Sequence, residues 1–378
     1  MSALAMVVLM LGVLLAALAL AAWRGSSVLL VPRPYDLMPE FKVVAYRDGR
    51  VTLPQPPSRR QFADTRKPGT FGLVWPTGYG VLGPVEAGDG ATVVRSLRLV
   101  DGTPPAAGMP ARIDTFVYRS DPLRAHAMAF EEVAVASELG PLAAWWLPGR
   151  GTLAVLALHG RRRGERAETL RALPTLAEDG RSVLVLAYRN HRGSPTSPDG
   201  LYHYGASEAD DALAGVRFLA ERGAEHVVVM GFSMGGAIAL EAAKRWPPNG
   251  PRLAGLILDS PLVDPAAATV QRARRSGMPL AATWGRVVLA LASLRSGVRW
   301  RDLDQTRSAA KVTVPVLLIA GERDQTVPVR TVDAFAERLG ARVHYLRVAE
   351  ADHIEAWNRD PAAYRGWLRE FLDAAQAD

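Results

Sequence analysis

Three hydrophobic patterns succeed one another along the chain. Met1 to Trp23 is uncharged and rich in Leu, Ala, Val and Met. As a helix this stretch runs about 35 Å at ~1.5 Å per residue, enough to cross a bilayer core of about 30 Å. Residues 24 to about 130 then carry short apolar runs broken by Pro and Gly. Strands are predicted over Phe41–Tyr46, Gly72–Trp75, Thr92–Leu99 and Ile113–Tyr118, with turns at Asp48-Gly49, Asp89-Gly90 and Asp101-Gly102. This is a β-rich accessory region, expected to pack on the remainder or to space it from a membrane.

From about 131 strands and helices alternate. Glu131–Ser137 and Leu142–Leu147 predict an antiparallel pair ended by Pro148-Gly149. Thr152–Leu158, Ser182–Ala187, His226–Met230, Leu253–Leu258 and Val314–Ala320 are continuous apolar runs, as parallel strands buried on both faces require. Helices are predicted over Ser207–Arg222, with Ser207 and Asp210 as a weak capping box and Gly223 beyond the end, and from Met234 to Trp246, where Pro247 stops it. Val329–Leu339 and Pro361–Ala375 predict helices flanking a last strand, Arg342–Val348. Such alternation gives a mostly parallel sheet covered on both faces. The domain division expected is 1–23, 24–130 and 131–378, with an insertion of about 262–311 read as a helical cap. Within the cap, Ala266–Arg275 and Pro279–Leu294 are helical, and Leu289, Leu291 and Leu294 are candidates to line an acyl pocket, though core packing explains them equally well.

Composition narrows the chemistry. There is no cysteine, which excludes a thiol nucleophile, disulfides and Cys-ligated metal. The net charge of +7 comes from scattered residues, nearly all Arg, without a basic stripe interleaved with aromatics, so no nucleic-acid partner is expected.

The strongest local signal is Val227-Val228-Val229-Met230-Gly231-Phe232-Ser233-Met234-Gly235-Gly236. A buried strand runs into Gly-x-Ser-x-Gly and then into a helix, the setting of a nucleophile elbow. A serine hydroxyl needs a base to take its proton, and the base needs an orienting acid. His353, after the last strand, is the candidate base. Asp324, past the strand ending at Ala320, is the candidate acid, with Asp259 as the alternative. Asp352, beside His353 in sequence, is expected to point to solvent. His126, His191, His203 and His344 are read as structural. Backbone N–H groups of Met234 and Arg161 are expected to form an oxyanion hole, with His159 and Gly160 shaping the loop. The run from Arg161 to Arg166 offers charge for a carboxylate or phosphate headgroup, although a solvated loop accounts for it too.

Together, the His159-Gly160 loop, Gly-Phe-Ser-Met-Gly-Gly, Gly-Glu-Arg-Asp-Gln-Thr-Val-Pro (321–328) and Ala-Asp-His (351–353) resemble the α/β-hydrolase superfamily. The closer likeness is to the membrane-associated and serine-aminopeptidase-like groups, and Tyr188-Arg189-Asn190 through Ser197 to His203 resembles a subgroup of bacterial hydrolases with an N-terminal hydrophobic segment. The likeness covers about 131–375. It implies the α/β-hydrolase fold, with a mostly parallel eight-stranded sheet and helices on both faces, a triad of Ser233, Asp324 and His353, and no metal or organic cofactor. It does not fix the bond: esters, lipid-like ones included, are the first expectation, and amides, peptides or thioesters remain open. A non-catalytic binding protein of the same fold is the third reading.

For the N-terminus three readings compete: an uncleaved single-pass anchor, a signal peptide cleaved near Ala19-Leu20-Ala21, and a buried segment. Arg24 and Arg33 follow the span and nothing basic precedes it, which leans toward a cytoplasmic catalytic domain. Oligomeric state is not legible.

Overall fold

The computed structural model describes residues 2–32, 38–55, 64–161 and 165–377. Helix α1, Ala3–Leu30, runs seven residues past the predicted end at Trp23. Arg24-Gly25-Ser26-Ser27 is a poor helix sequence, and tertiary contacts override that weak preference. Leu30 is buried in the main core. The last carbonyls of the helix find partners outside it: the Tyr202 backbone N–H donates to Leu30 O at 2.8 Å, and the Tyr204 hydroxyl to Leu29 O at 2.7 Å. The preceding part of the helix, Met6 to Leu20, exposes its large apolar side chains. Over Ala5–Leu30 the helix is long and apolar enough to cross a membrane.

The accessory region is an antiparallel seven-stranded sheet: β1 Phe41–Lys42, β2 Ala45–Arg47, β3 Arg50–Pro54, β4 Phe71–Trp75, β5 Gly78–Gly88, β6 Thr92–Gly102 and β7 Pro110–Asp114, in the order β1-β7-β4-β5-β6-β3-β2. The single strand expected over 41–46 is divided between the two margins. Val43 N–H bonds Met109 O on one side and Val44 N–H bonds Thr52 O on the other, so the sheet curls into a closed barrel. Phe71, Leu73, Leu53, Val51 and Leu82 fill it. The last strand lies three residues earlier than predicted, and β3 and β5 were not foreseen.

The second sheet has eight strands: β8 Glu131–Ser137, β9 Gly140–Leu147, β10 Leu153–Leu158, β11 Ser182–Leu186, β12 His226–Phe232, β13 Arg252–Asp259, β14 Val316–Gly321 and β15 Val343–Val348. Their order is β15-β14-β13-β12-β10-β11-β9-β8, parallel except where β9 meets β11 and β8. The apolar runs of β10 to β14 are buried along nearly their whole length, which is why they read as continuous rather than alternating. Core clusters on both faces lie under α2 Glu208–Ala220, α3 Met234–Ala243, α6 Val329–Leu339 and α7 Pro361–Ala377. Two cap helices, α4 Pro265–Arg275 and α5 Ala281–Ser296, sit between β13 and β14 in sequence.

Some local expectations fail for identifiable reasons. Ser207 makes no cap; its hydroxyl pairs with His203 Nδ1 at 2.6 Å, and Glu208 instead takes the N–H groups of His203 and Gly205. Helix α3 ends at Ala243, three residues before the expected stop.

Candidate active site

Strand β12 is central, paired in parallel with β10 and β13, and it delivers Ser233 to the C-terminal rim of the sheet. Ser233 has φ 50° and ψ −112°, a conformation that L-residues rarely adopt. The neighbouring glycines make it feasible. A Cβ on Gly231 would lie 2.4 Å from Gly235 O, and one on Gly235 2.3 Å from Leu158 O. No side chain fits at either position, so strand and helix meet with backbone against backbone. The turn is pinned by Ser233 N–H to Asp259 O at 3.0 Å and Leu262 N–H to Ser233 O at 3.0 Å.

Ser233 Oγ lies 2.9 Å from His353 Nε2, and His353 Nδ1 lies 2.7 Å from Asp324 Oδ2. The three side chains therefore converge from loops after β12, β14 and β15. The other Asp324 oxygen accepts from the N–H groups of Thr326 and Val327, both at 2.8 Å, which fixes the carboxylate's orientation. Burial pushes the His353 imidazole down, but the charge and hydrogen bond of Asp324, aided by Asp352 and Glu168, outweigh it, and its pKa is raised above 6.5.

Asp259 is not on the histidine. It is buried and accepts from the Tyr364 hydroxyl at 2.8 Å and the Ser260 hydroxyl at 3.1 Å. Asp352 does not point to solvent, contrary to expectation. It is buried and its Oδ1 accepts from Gln325 N–H at 2.9 Å and His353 N–H at 2.7 Å, tying the acid loop to the histidine loop. Adjacency in sequence hid this, because the tie runs between loops 27 residues apart. His126, His191 and His203 bond backbone or local side chains, and His344 lies on the outer strand β15; none approaches Ser233.

The loop after β10 passes directly beside the elbow: a Cβ on Gly160 would sit 3.3 Å from Ser233 Cβ. The Tyr188 hydroxyl bonds both His159 O and Gly160 O, at 3.0 and 3.1 Å. His159 stacks on Tyr188 and is buried, which holds its imidazole well below its ordinary pKa and neutral. Gly160 N–H donates to Glu168 Oε2 at 2.5 Å. Sequence reasoning missed Glu168. It is fully buried, and burial raises its carboxyl to about 7 despite Arg171 and the Gly160 N–H. A lone Glu eight residues after Gly160 gives no periodic or motif signal.

The arginine run does not present a headgroup cradle in its described members. Arg161 bonds Tyr204 Oη at 2.5 Å and the carbonyls of Val28 and Leu29 at the end of α1. Arg166 pairs with Glu132 at 2.7 Å over the Trp145 ring. Arg162, Arg163 and Gly164 lie outside the described residues, as does Arg33.

The barrel grips the segment that follows His353. Lys67 Nζ bonds Glu355 at 2.6 Å, Thr70 N–H donates to Asn358 O at 2.7 Å, and Asn358 Nδ2 donates to Thr70 O and Thr115 O at 2.8 and 2.9 Å. Inside the barrel the buried Arg95 guanidinium donates to the carbonyls of Gly83, Thr65, Lys67 and Gly69. Burial lowers its pKa to about 10. Arg171 adds a bridge from Ile354 O at 2.8 Å to Thr115 O at 3.3 Å.

With this geometry in place, comparison with known proteins is informative. A family model described as "alpha/beta hydrolase fold" matches residues 155–306, which include Ser233 and stop short of Asp324 and His353. A domain of unknown function (DUF8805) matches residues 42–114, most of the barrel. No curated protein matches the chain significantly. An esterase of Pyrococcus furiosus, 20% identical, aligns over 68% of this chain and 95% of its own with a TM-score of 0.54. A second crystal form of that esterase gives 22% identity, 65% and 93% coverage and a TM-score of 0.52. A thermophilic esterase from Thermogutta terrifontis, 20% identical, covers 66% of this chain and 99% of its own with a TM-score of 0.46.

Proposed function

We propose, from the alpha/beta hydrolase fold that this chain adopts, that it is a membrane-anchored serine hydrolase cleaving carboxylic esters through an acyl-enzyme. The observation that carries the reading is the unbroken hydrogen-bonded line from Ser233 through His353 to Asp324, assembled from three strand ends. Ser233 Oγ attacks the acyl carbon while its proton passes to His353 Nε2. The tetrahedral oxyanion is held by backbone N–H groups at Met234 and Arg161. As the intermediate collapses, the ester C–O bond breaks and His353 gives the proton to the leaving alkoxide. Water then attacks the acyl-enzyme, losing a proton to His353, and the released carboxylic acid leaves Ser233 reprotonated. Asp324 holds Nδ1–H and stabilises the imidazolium in both halves.

Helix α1 supplies the anchor in this reading, and Arg24 with Arg33 beyond the span favours a cytoplasmic catalytic domain. The test pairs labelling by a fluorophosphonate with turnover of short- and long-chain acyl esters, comparing wild type with Ser233→Ala. Labelling and turnover that vanish together in Ser233→Ala are expected. A folded wild type that does neither overturns the reading, and labelling without ester turnover moves it to amides or thioesters.

A further inference from the structure

A cavity of about 590 Å³ lies between α1 and the cap, within the size range of ligand pockets. Its walls are mostly apolar and include Ala17, Leu20 and Gly25 of α1, Ala273 of α4, and Trp284 and Val288 of α5. Helices α1 and α5 do pack where they meet: a Cβ on Gly25 would lie 2.8 Å from Val288 Cγ2. Eight residues below that crossing, Ala17 is the lining residue nearest the N-terminal end of α1.

Depth along α1 indicates what the opening faces. Trp23 is half exposed, with the Arg295 guanidinium 4.0 Å from its ring centre, and Arg24 follows it. An aromatic–arginine pair at the end of an apolar span marks the headgroup level. Ala17 is six residues nearer the N-terminus, about 9 Å deeper at ~1.5 Å per residue. The part of the cavity walled by Ala17 therefore lies at hydrocarbon depth. A second feature agrees with this placement. Leu280, Val287 and Leu294 are 81%, 45% and 86% exposed. On α5 the seven-residue spacing of Val287 and Leu294 is nearly two helical turns, so these two share one face, and Leu280 immediately precedes that helix. Arg272, Arg274 and Arg275 end the neighbouring helix α4, a basic cluster suited to an anionic lipid surface.

The cavity walls adjoin the loops of the candidate site, although Ser233, Asp324 and His353 do not themselves line it. Arg161, which does, follows Gly160, on which a Cβ would lie 3.3 Å from Ser233 Cβ. Helix α4, a cavity wall, bonds the acid loop: Gln271 Nε2 donates to Asp324 O at 3.3 Å and Arg275 to Gln325 O at 2.9 Å.

We infer that this cavity holds the acyl chain of a lipid drawn sideways from the bilayer that α1 crosses, with the cap's exposed Leu280, Val287 and Leu294 resting on the same bilayer. The inference rests on the hydrolase reading above and names the substrate class of that site. The pocket differs from the one expected from sequence: neither Leu289, which packs in the core, nor Leu291 or Leu294 lines it. Retention of residues 1–21 is a corollary, because Ala17, Leu20 and Ala21 form one wall.

The test uses full-length Ser233→Ala protein in vesicles of phosphatidylcholine and phosphatidylglycerol, one phosphatidylcholine bearing a diazirine at the end of a palmitoyl chain. Photolysis is expected to place adducts on residues 269–278 of the cap, and Ala273→Trp is expected to remove them. Adducts confined to residues 5–20, which any bilayer lipid touches, overturn the inference. In the Ser233-bearing protein, Ala21→Trp and Ala273→Trp are each expected to lower the ratio of p-nitrophenyl palmitate to butyrate turnover by about tenfold or more. An unchanged ratio in both overturns the inference and leaves the hydrolase reading standing. Absence of any Ser233-dependent turnover overturns the hydrolase reading, while the adducts still decide the cavity.

Discussion

In the eight-stranded sheet, Ser233, Asp324 and His353 all stand just beyond the C-terminal ends of parallel strands, where loops are short and the strand beneath is rigid. The barrel offers no such rim. Its strands are antiparallel, and what it contributes is a loop, residues 64–70, held from inside by Arg95 and from outside by the segment after His353. One unit carries the reacting side chains and the other holds one of their loops in place. Direction of the strands explains the difference. Parallel strands collect loops of one kind at one end, whereas antiparallel strands scatter turns to both ends and leave only their margins to touch a neighbour.

If that division holds, changes at the sheet's rim should abolish chemistry and leave folding intact. Ser233→Ala is expected to lower kcat by roughly 10⁴-fold or more with an unaltered melting curve. Asp324→Asn is expected to cost about 10³–10⁴ in kcat. It should also move the acidic limb of the pH profile. His353 must be neutral to act, and Asp324 helps hold its pKa above 6.5, so activity falls as pH drops through that raised value. Removing the charge should shift the limb to lower pH, read from kcat/KM against pH.

Changes in the barrel should show the converse. Arg95→Met leaves the carbonyls of Thr65, Lys67 and Gly69 without a donor in the interior and is expected to destabilise the protein by about 3 kcal/mol, measured by urea unfolding. Lys67→Met strands the buried Glu355 carboxylate. A several-fold loss of kcat with little change in KM is expected, restored in part by Glu355→Gln in the same chain, which removes the stranded charge. An unchanged kcat in both Lys67→Met and Arg95→Met would mean that the barrel is a bystander. The smallest effect belongs to Glu168. Its folded pKa of about 7 lies above the ordinary 4.5, so the stability it contributes is complete below about 4.5 and is lost as pH rises through about 7. Glu168→Gln should flatten that part of the stability–pH curve.

The sheet's strands were legible because burial on both faces leaves continuous apolar runs, and the elbow was legible because glycines cluster where backbone meets backbone. The convergence of Ser233, His353 and Asp324 followed from chain order. The barrel was legible only in part. β5 carries Gly78, Gly80, Gly83 and Gly88, which erase the alternation that marks a strand. The strand over 41–46 looked single because a change of partner at Val43-Val44 leaves no mark on composition. Asp352, Glu168 and Lys67 were missed or misplaced for a shared reason: each acts on a loop distant in sequence, and an isolated charged residue does not say which loop. Helix α1 was cut short because the uncharged run ends at Trp23, before Arg24, while the contacts that keep the next turns helical come from residues 202, 204 and 295.

The passage of Val43 and Val44 from one margin of the barrel to the other has a consequence for association. Among the described residues, a sheet whose first segment serves both borders leaves only short stretches of unpaired amide and carbonyl groups, a poor template on which a foreign strand can grow. Protein partners of the barrel must then be recognised by side chains and turns more than by β-augmentation. The open sheet keeps two outer strands, and these carry Glu131 and Glu132 on β8 and His344 and Arg347 on β15, all exposed. Charge discourages fibrous stacking at one unit, and topology limits the opportunity at the other.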